Sequence, residues 1–313
     1  MNPKVSILIP NYNHAAFLAQ RLESVFNQTY QDFEVILLDD KSTDNSVTIL
    51  QRCIDHPKVS HFIINNENSG SPFRQWQRGI QLAKGEYIWI AESDDYCERT
   101  FLAKLINYID EDASIGIAYC QTNDVNEKGT YLNNRINYTN PFQPNIWETD
   151  FVKNGREFID LYLSFFNVIP NASAVIFKKE LVDDSIFSTS LIQMKMCGDW
   201  YFWIQLALQS KVCFLSETLN CFREHQSVSR NHNDAYKKQL RLLEEKKVRS
   251  LMHSYQIINL QSEQLLYSKW FNLHAFRTIF DRSFYDVKLE NVSFFTFLKM
   301  YVQSKLSMLK RKF

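Results

Sequence analysis

The chain has 313 residues, of which 45% are hydrophobic, 14% aromatic and 22% charged, a composition that builds a folded core and lies far from the disordered class. Its 35 Lys+Arg balance 35 Asp+Glu, so no global field favours nucleic acid and any charged partner is met locally. The 7 glycines never stand one residue apart, which excludes the dinucleotide and P-loop fingerprints.

From Val5 to Cys120 short β-rich runs alternate with helix-period stretches, the pattern of an α/β unit with a mostly parallel sheet covered on both faces. Val5–Ile9 reads as the first strand. Asn13 caps a helix whose Leu18, Leu22, Val25 and Phe26 form one stripe of a 3.6-residue period. Phe33–Leu38 is a second buried strand, ended by Asp39 and Asp40. Ser42, Thr43 or Asp44 caps the helix toward Cys53, Val59–Ile64 is a third strand, and Pro72 suits the first turn of a helix that Gly85 stops. Tyr87–Ala91, a helix over Arg99–Ile109 and a fifth strand over Ile115–Cys120 follow. Residues 121–150 are polar and Asn-rich, with Pro141 and Pro144, and predict a long irregular connection.

Order resumes with a helix over Gly155–Phe166, a strand over Ser173–Phe177, a helix after Gly198, and two short strands, Val212–Leu215 and Thr218–Phe222. Asp234 to Phe313 contains no glycine or proline and is rich in Leu, Lys, Glu and Gln, which predicts several helices. The six cysteines form no C-x-x-C pair and read as buried thiols of a reducing compartment. With no signal-like leader and no run of about 18 apolar residues, the protein is expected in the cytoplasm.

Ligands of open α/β sheets gather beyond the carboxyl ends of the strands, and here those ends are acidic. Asp39 and Asp40 follow the second strand; Glu92, Ser93, Asp94 and Asp95 follow the fourth. Grouped carboxylates repel one another unless something positive sits among them, which points to a hard divalent cation, Mg2+ or Mn2+. Such an ion brings a diphosphate with it.

Four ordered elements carry a resemblance. They are Ile9-Pro10-Asn11-Tyr12-Asn13, then Asn27-Gln28-Thr29-Tyr30, then Asp39-Asp40-Lys41-Ser42-Thr43-Asp44, and the acids that follow Lys84-Gly85-Glu86-Tyr87. Together they resemble the nucleotide-binding half of family 2 of the inverting GT-A glycosyltransferases, strongly over Pro3–Cys120 and more loosely over Ala172–Ser229. The resemblance implies a GT-A fold with residues 1–120 binding the nucleotide sugar, 121–232 binding the acceptor, and 233–313 forming a helical extension. It implies that Pro10, Tyr12 and Asp40 hold the nucleoside, with Asp39 beside them. Asp94 reaches ribose or metal, and Asp95 binds the metal on the diphosphate. Glu92 stands where Asp is usual in the family's D-x-D element. Phe73-Arg74-Gln75-Trp76-Gln77-Arg78-Gly79 departs in spacing from the family's A-R-N-x-G element.

Cys197-Gly198-Asp199-Trp200 is similar to the family's E-D-x-x-x-W, with Gly198 in place of an acid. That makes Asp199 the general base that takes the proton of the acceptor hydroxyl, and Trp200 a face on which a sugar stacks. Phe222-Arg223-Glu224-His225-Gln226-Ser227-Val228-Ser229 resembles Y-R-x-H-x-x-S-x-S, which implies His225 in the metal shell and Arg223 on the departing phosphate. The implied activity is metal-dependent, inverting transfer of a hexosyl group from a UDP- or GDP-sugar to a glycan or lipid-linked acceptor in cell-surface polysaccharide synthesis. A catalytically silent sugar-nucleotide or carbohydrate binder is the alternative. The stretch 293–313 carries Lys299, Lys305, Lys310, Arg311 and Lys312 among Phe294, Phe295, Phe297, Leu298, Tyr301, Val302, Leu306 and Leu309, with no acid. It reads as an amphipathic basic helix, which either packs on the domain or lies on the inner face of the cell membrane.

Overall fold

The computed structural model describes residues 2–169, 171–225 and 234–310, with side chains described through residue 307. A ten-stranded sheet crosses it. Its strands are β1 (Val5–Asn11), β2 (Phe33–Asp39), β3 (Val59–Ile64), β4 (Tyr87–Ile90), β5 (Tyr96–Cys97), β6 (Ile115–Val125), β7 (Tyr131–Asn134), β8 (Phe151–Asn154), β9 (Val175–Lys178) and β10 (Lys211–Arg223). The helices are α1 (Ala15–Phe26), α2 (Ser46–Gln51), α3 (Pro72–Leu82), α4 (Phe101–Glu111), α5 (Gly155–Phe158), α6 (Thr189–Gln193), α7 (Gly198–Ala207), α8 (Ala235–Ser254), α9 (Leu260–Leu273) and α10 (Phe294–Lys310).

The path through the sheet is β3-β2-β1-β4-β9-β6-β10-β5. Pairing is parallel from β3 to β4, where the sequence alternates strand and helix, and again between β6 and β10. Between them β9 runs antiparallel to both neighbours, so the sheet is mixed beyond β4. Val5, Ile7 and Ile9 of β1 and Val35 and Leu37 of β2 enter one core with α1 and α4. The alternate residues Leu8, Ile36 and Leu38 enter a second core with α3 and α7. A strand buried on both faces needs this continuous apolar run, whereas a half-buried one alternates. Gly85 sets β1 against the start of β4: a Cβ there would lie 2.5 Å from the Ser6 backbone nitrogen.

Three expectations change. The two short strands after residue 211 are one long strand, with register shifts around Leu215, Thr218 and Asn220. Residues 121–150 are more ordered than their polarity implied, because β6 continues to Val125, β7 pairs with it, and buried Trp147 donates to the Tyr119 hydroxyl at 2.7 Å. The helix from Gly155 turns into a wider π-type turn over Ile159–Leu163. All six cysteines are free thiols, five of them buried.

The C-terminal helices close a third core around Tyr267, Trp270, Phe271, Phe284, Phe297 and Tyr301. Two apolar positions of α10 are therefore spent on packing, while Phe295, Val302 and Leu306 stay exposed. Arg311 and Lys312, and the side chains of Leu309 and Lys310, lie outside the described residues. Among the described residues no helix is long and apolar enough to cross a membrane.

Candidate active site

Strand order places the carboxyl ends of β1, β2 and β4 side by side, and the loops that leave them build two adjoining clefts. One, about 480 Å³, is lined by Pro10, Tyr12, Asp40 and Gln75. The other, about 280 Å³, is lined by Trp76, Asp94, Asp95, Asp199 and His225. His14, Pro72 and Glu92 line both. Residues drawn from six separated parts of the chain thus meet at one sheet edge, in a concavity of the size that small-molecule sites take.

At the larger cleft Asp39 is fully buried and structural. It accepts from Asn11 Nδ2 and the Ser42 backbone N–H, both at 2.8 Å, and so ties the β1 and β2 loops together. Asp40 is saturated as well: its carboxylate accepts from Asn65 Nδ2 (2.6 Å), the Ser69 N–H (2.9 Å), Ser69 Oγ (2.8 Å) and Gln75 Nε2 (2.8 Å). Such bonds fix its orientation at the cleft wall. Tyr12 keeps 44% of its surface exposed and offers a ring face at the mouth.

The loop after β4 concentrates the charge. Burial, then repulsion from Asp94, pushes the Glu92 carboxyl up to about 8, although Trp76 Nε1 donates to it at 2.9 Å. Burial and the neighbouring Asp94 likewise raise Asp95 to about 7. For Asp94 burial again opposes ionisation, but the hydrogen bond from His225 Nε2 (2.9 Å) and the nearby His14 outweigh it and hold the carboxyl below its usual range. Asp94 is therefore the member of the trio that ionises most readily.

His14 Nδ1 sits 2.8 Å from Ser93 Oγ, and the His14 and His225 rings meet edge-on at 5.4 Å. Burial lowers the His14 pKa, keeping the imidazole neutral and able to ligate. Ligand atoms of His14, Asp94 and His225 all lie within 4.8 Å of one another. The Asp95 carboxylate is instead occupied by Asn171 Nδ2 (2.7 Å) and the Arg223 N–H (2.9 Å). Asp94 is thus the carboxylate that clusters with the two imidazoles, while Asp95 is tied to the protein around it. His14 was missed in the sequence, although it stands just beyond β1 at the edge where the acids gather.

Two expectations are corrected. Arg223 is 1% exposed and spends its guanidinium inside the protein. It donates to the carbonyls of Asp94 (2.8 Å), Asn126 (3.2 Å) and Glu127 (2.9 Å) and to Gln20 Oε1 (2.6 Å), between the rings of Phe17 and Tyr96. It braces the acidic loop with four of its five N–H groups and, being buried, presents its guanidinium to no phosphate. Arg21, fully buried on the other side, donates to the Glu92 carbonyl at 2.8 Å. Trp200 is 2% exposed and its Nε1 donates to the Leu163 carbonyl at 2.9 Å, so it is core and offers a sugar no face.

Asp199 lies in the first turn of α7, where Oδ2 accepts from Asn167 Nδ2 at 2.9 Å. Gly198 before it is dictated by packing, since a Cβ there would sit 2.3 Å from the Phe73 ring. The Gln226–Ser229 part of the last motif lies outside the described residues.

A mixed sheet with a nucleoside-sized cleft and an acid–imidazole cluster beyond β1, β4 and β10 is the architecture of a glycosyltransferase of the GT-A fold. The family model described as Glycosyl transferase family 2 matches residues 6–171, and the chain belongs to that family. An uncharacterized glycosyltransferase of Haemophilus influenzae is 32% identical over 170 residues, 53% of this chain and 67% of that one. A poly(ribitol-phosphate) beta-glucosyltransferase of Bacillus spizizenii is 39% identical over 113 residues, 36% of this chain and 18% of its own length. Likeness to a chondroitin synthase of Escherichia coli spans 20% of that protein, so the chain matches a small part of the longer relatives.

Among solved structures, S. aureus TarS 1–349 in complex with UDP-GlcNAc superposes with a TM-score of 0.61 at 18% identity, covering 96% of this chain and 81% of that one. Mannosyltransferase PcManGT from Pyrobaculum calidifontis, in complex with GDP-Man and Mn2+, gives 0.52 at 15% identity, covering 98% and 81%. At these identities the likeness concerns the fold.

Proposed function

We propose that this glycosyltransferase moves a hexosyl group from a nucleotide diphosphate sugar to an acceptor hydroxyl, with inversion and with a divalent cation, in the assembly of a cell-surface polysaccharide. One observation carries the reading: His14, Asp94 and His225 converge where the Tyr12–Asp40 cleft opens into the cleft that holds Asp199. Two imidazole nitrogens and one carboxylate suit Mn2+ better than Mg2+, which prefers oxygen ligands. UDP-GlcNAc and GDP-Man with Mn2+ are bound by structural neighbours, which supports a nucleotide-sugar donor here without choosing the base.

In this reading Tyr12 and the Asp40 wall orient the nucleoside, and His14, Asp94 and His225 hold the ion. The ion supplies Lewis-acid neutralisation of the leaving diphosphate. Asp199 withdraws the proton of the acceptor hydroxyl as its oxygen attacks the anomeric carbon from the side opposite the leaving group. Arg223, Asn171 and Arg21 keep the acidic loop rigid, so little reorganisation accompanies the reaction.

The acceptor in this reading is a glycan or a lipid-linked sugar at the inner membrane face. Phe295, Lys299, Val302 and Leu306 recur at i, i+4, i+7 and i+11 along one exposed stripe of α10, and together they suit an anionic bilayer surface. Release of UDP or GDP from UDP-glucose, UDP-GlcNAc or GDP-mannose in Mn2+ tests the enzyme. Turnover that is lost in Asp94→Ala and in EDTA supports it, whereas tight binding with no turnover on any donor marks a silent binder. Co-sedimentation with anionic vesicles, lost in Phe295→Glu/Leu306→Glu, tests the membrane contact.

A further inference from the structure

Helix α7 delivers Asp199 to the cleft, yet its N-cap residue Cys197 makes no side-chain cap bond. The amides that precede the helix are satisfied from elsewhere. Glu244, on α8 and 2% exposed, accepts the Lys195 N–H at 2.8 Å through Oε1, and the Met196 and Cys197 N–H groups at 2.8 and 2.9 Å through Oε2. Three successive amides thus close on one carboxylate, an anion-binding nest at the positive end of a helix. Its occupant is a side chain of the C-terminal extension, well past the residues 6–171 that the family model matches.

The anchored segment lies between the two clefts. Lys195 Nζ bonds the Gly70 carbonyl, and Gly70 lines the larger cleft; two residues after Cys197 stands Asp199, beside Asp94 and His225 in the smaller one. A buried carboxylate that accepts three N–H bonds defines the position of all three amides, because leaving any of them unmet in the interior is costly. The backbone entering α7 therefore cannot move without breaking this set.

We infer that Glu244 is a positioning residue: from the C-terminal helices it fixes the backbone before α7 so that Asp199 meets the acceptor oxygen. The inference rests on the reading of Asp199 as the base. Gln at 244 retains one accepting oxygen and turns an N–H₂ toward at least one amide N–H, so the loop shifts. Displacement of a catalytic group by about 1 Å can cost on the order of 10²-fold in rate. The Asp40 wall of the nucleoside cleft is held by its own bonds to Asn65, Ser69 and Gln75, none of which involves Glu244. Among the described residues the flexible Lys195 side chain is the one hydrogen-bonded link from the shifted loop to Gly70.

The test uses the full chain, with UDP-glucose, UDP-GlcNAc and GDP-mannose as donors and water as the acceptor, so that no natural acceptor is needed. In Glu244→Gln kcat for donor hydrolysis falls about 10- to 100-fold, while donor KM and the Kd for UDP in Mn2+ stay within about twofold of the parent. Glu244→Asp keeps the charge and shortens the reach; it carries the same test, with a smaller loss, if Glu244→Gln does not fold. Unchanged kcat, or a loss that appears equally in KM, overturns the inference. Asp199→Asn runs in parallel. If it keeps full kcat, the base assignment fails and the positioning role with it; if it is inactive while Glu244→Gln and Glu244→Asp are fully active, the positioning role alone fails.

Discussion

Gly198→Ala is the sharpest probe of how α3 and α7 set the base. The added methyl would lie 2.3 Å from both Cε2 and Cζ of Phe73, and 3.2 Å from Met194 Cβ. Carbon atoms pack at about 3.5–4.0 Å, so the ring or the helix must retreat by roughly 1.2–1.7 Å. Neither is free to do so. Phe73 is 5% exposed and packs edge-on against Trp76 at 4.9 Å, and the backbone before Gly198 is held by Glu244. Overpacking of this kind costs about 1–3 kcal/mol.

Phe73→Leu alone costs about 1 kcal/mol, as a shape change in a packed core does, but it removes the atoms that meet the methyl. The double variant Phe73→Leu/Gly198→Ala is then little worse than Phe73→Leu, with a coupling energy of about 1–3 kcal/mol in the double-mutant cycle. Urea denaturation followed by tryptophan fluorescence reads the cycle, and turnover of Gly198→Ala reads the displacement of Asp199. A neutral Gly198→Ala, or two effects that simply add, would refute the reasoning.

Asp94→Asn abolishes stabilisation by Mn2+ in thermal shift, whereas Asp95→Asn mainly lowers stability, by about 1–3 kcal/mol, because its amide mispairs with Asn171 or the Arg223 N–H. Equal loss of the Mn2+ response in both would return the metal to Asp95. Trp200→Phe, losing the bond to Leu163, costs about 1–3 kcal/mol in chemical denaturation and leaves donor KM unchanged; a raised KM would put the indole back on the sugar. Glu92 titrates at about 8 in the folded chain, above its unfolded value. The folded state therefore holds a proton that the unfolded state has lost, and the stability this gives is complete below about pH 4.5 and declines until the folded group ionises near pH 8. In EDTA, Glu92→Gln should flatten that decline in a urea-denaturation series from about pH 5 to 8, and an unaltered slope would contradict the assignment.

Strands β1, β2, β4 and the first half of β6 were legible because they are buried on both faces and so appear as uninterrupted apolar runs, whereas the two-residue β5 left no such signal. The acids at their ends were legible for the same reason: a strand end beside a switch in chain direction is where ligands meet the sheet. What sequence does not encode locally is direction. Arg223 and Trp200 occupy motif positions, yet each points into the protein, toward the Asp94 and Leu163 carbonyls respectively. Gln28, part of another motif, holds α1 to the start of α4 by donating to the Glu98 carbonyl and accepting the Leu102 N–H, so that motif is structural. The antiparallel insertion of β9, the contribution of His14 and the reach of Glu244 to α7 are all set by tertiary contacts between segments far apart in the chain.

The departures from the family's motifs are linked through one helix. Helix α3 sends Phe73 against Gly198, Gln75 Nε2 to Asp40 and Trp76 Nε1 to Glu92. Each altered spelling, a glycine for an acid at position 198 and a glutamate for an aspartate at position 92, faces an aromatic ring from this helix, whose own motif is the one with shifted spacing. The longer acid, Glu92, reaches Trp76, and the missing side chain of Gly198 makes room for Phe73. Restoring an aspartate at position 92 alone therefore does not return the site to the family's form. The shorter carboxylate would fall about one methylene short and leave the Trp76 N–H, on a residue only 3% exposed, without its acceptor, at a cost of about 1–3 kcal/mol. Glu92→Asp should lose stability, and Trp76→Phe, which shrinks a packed core residue in either background, should cost less in Glu92→Asp than in the parent because the donor it removes is already stranded there. Equal costs of Trp76→Phe in the two backgrounds, read from urea midpoints, would mean that α3 and the acidic loop are not coupled.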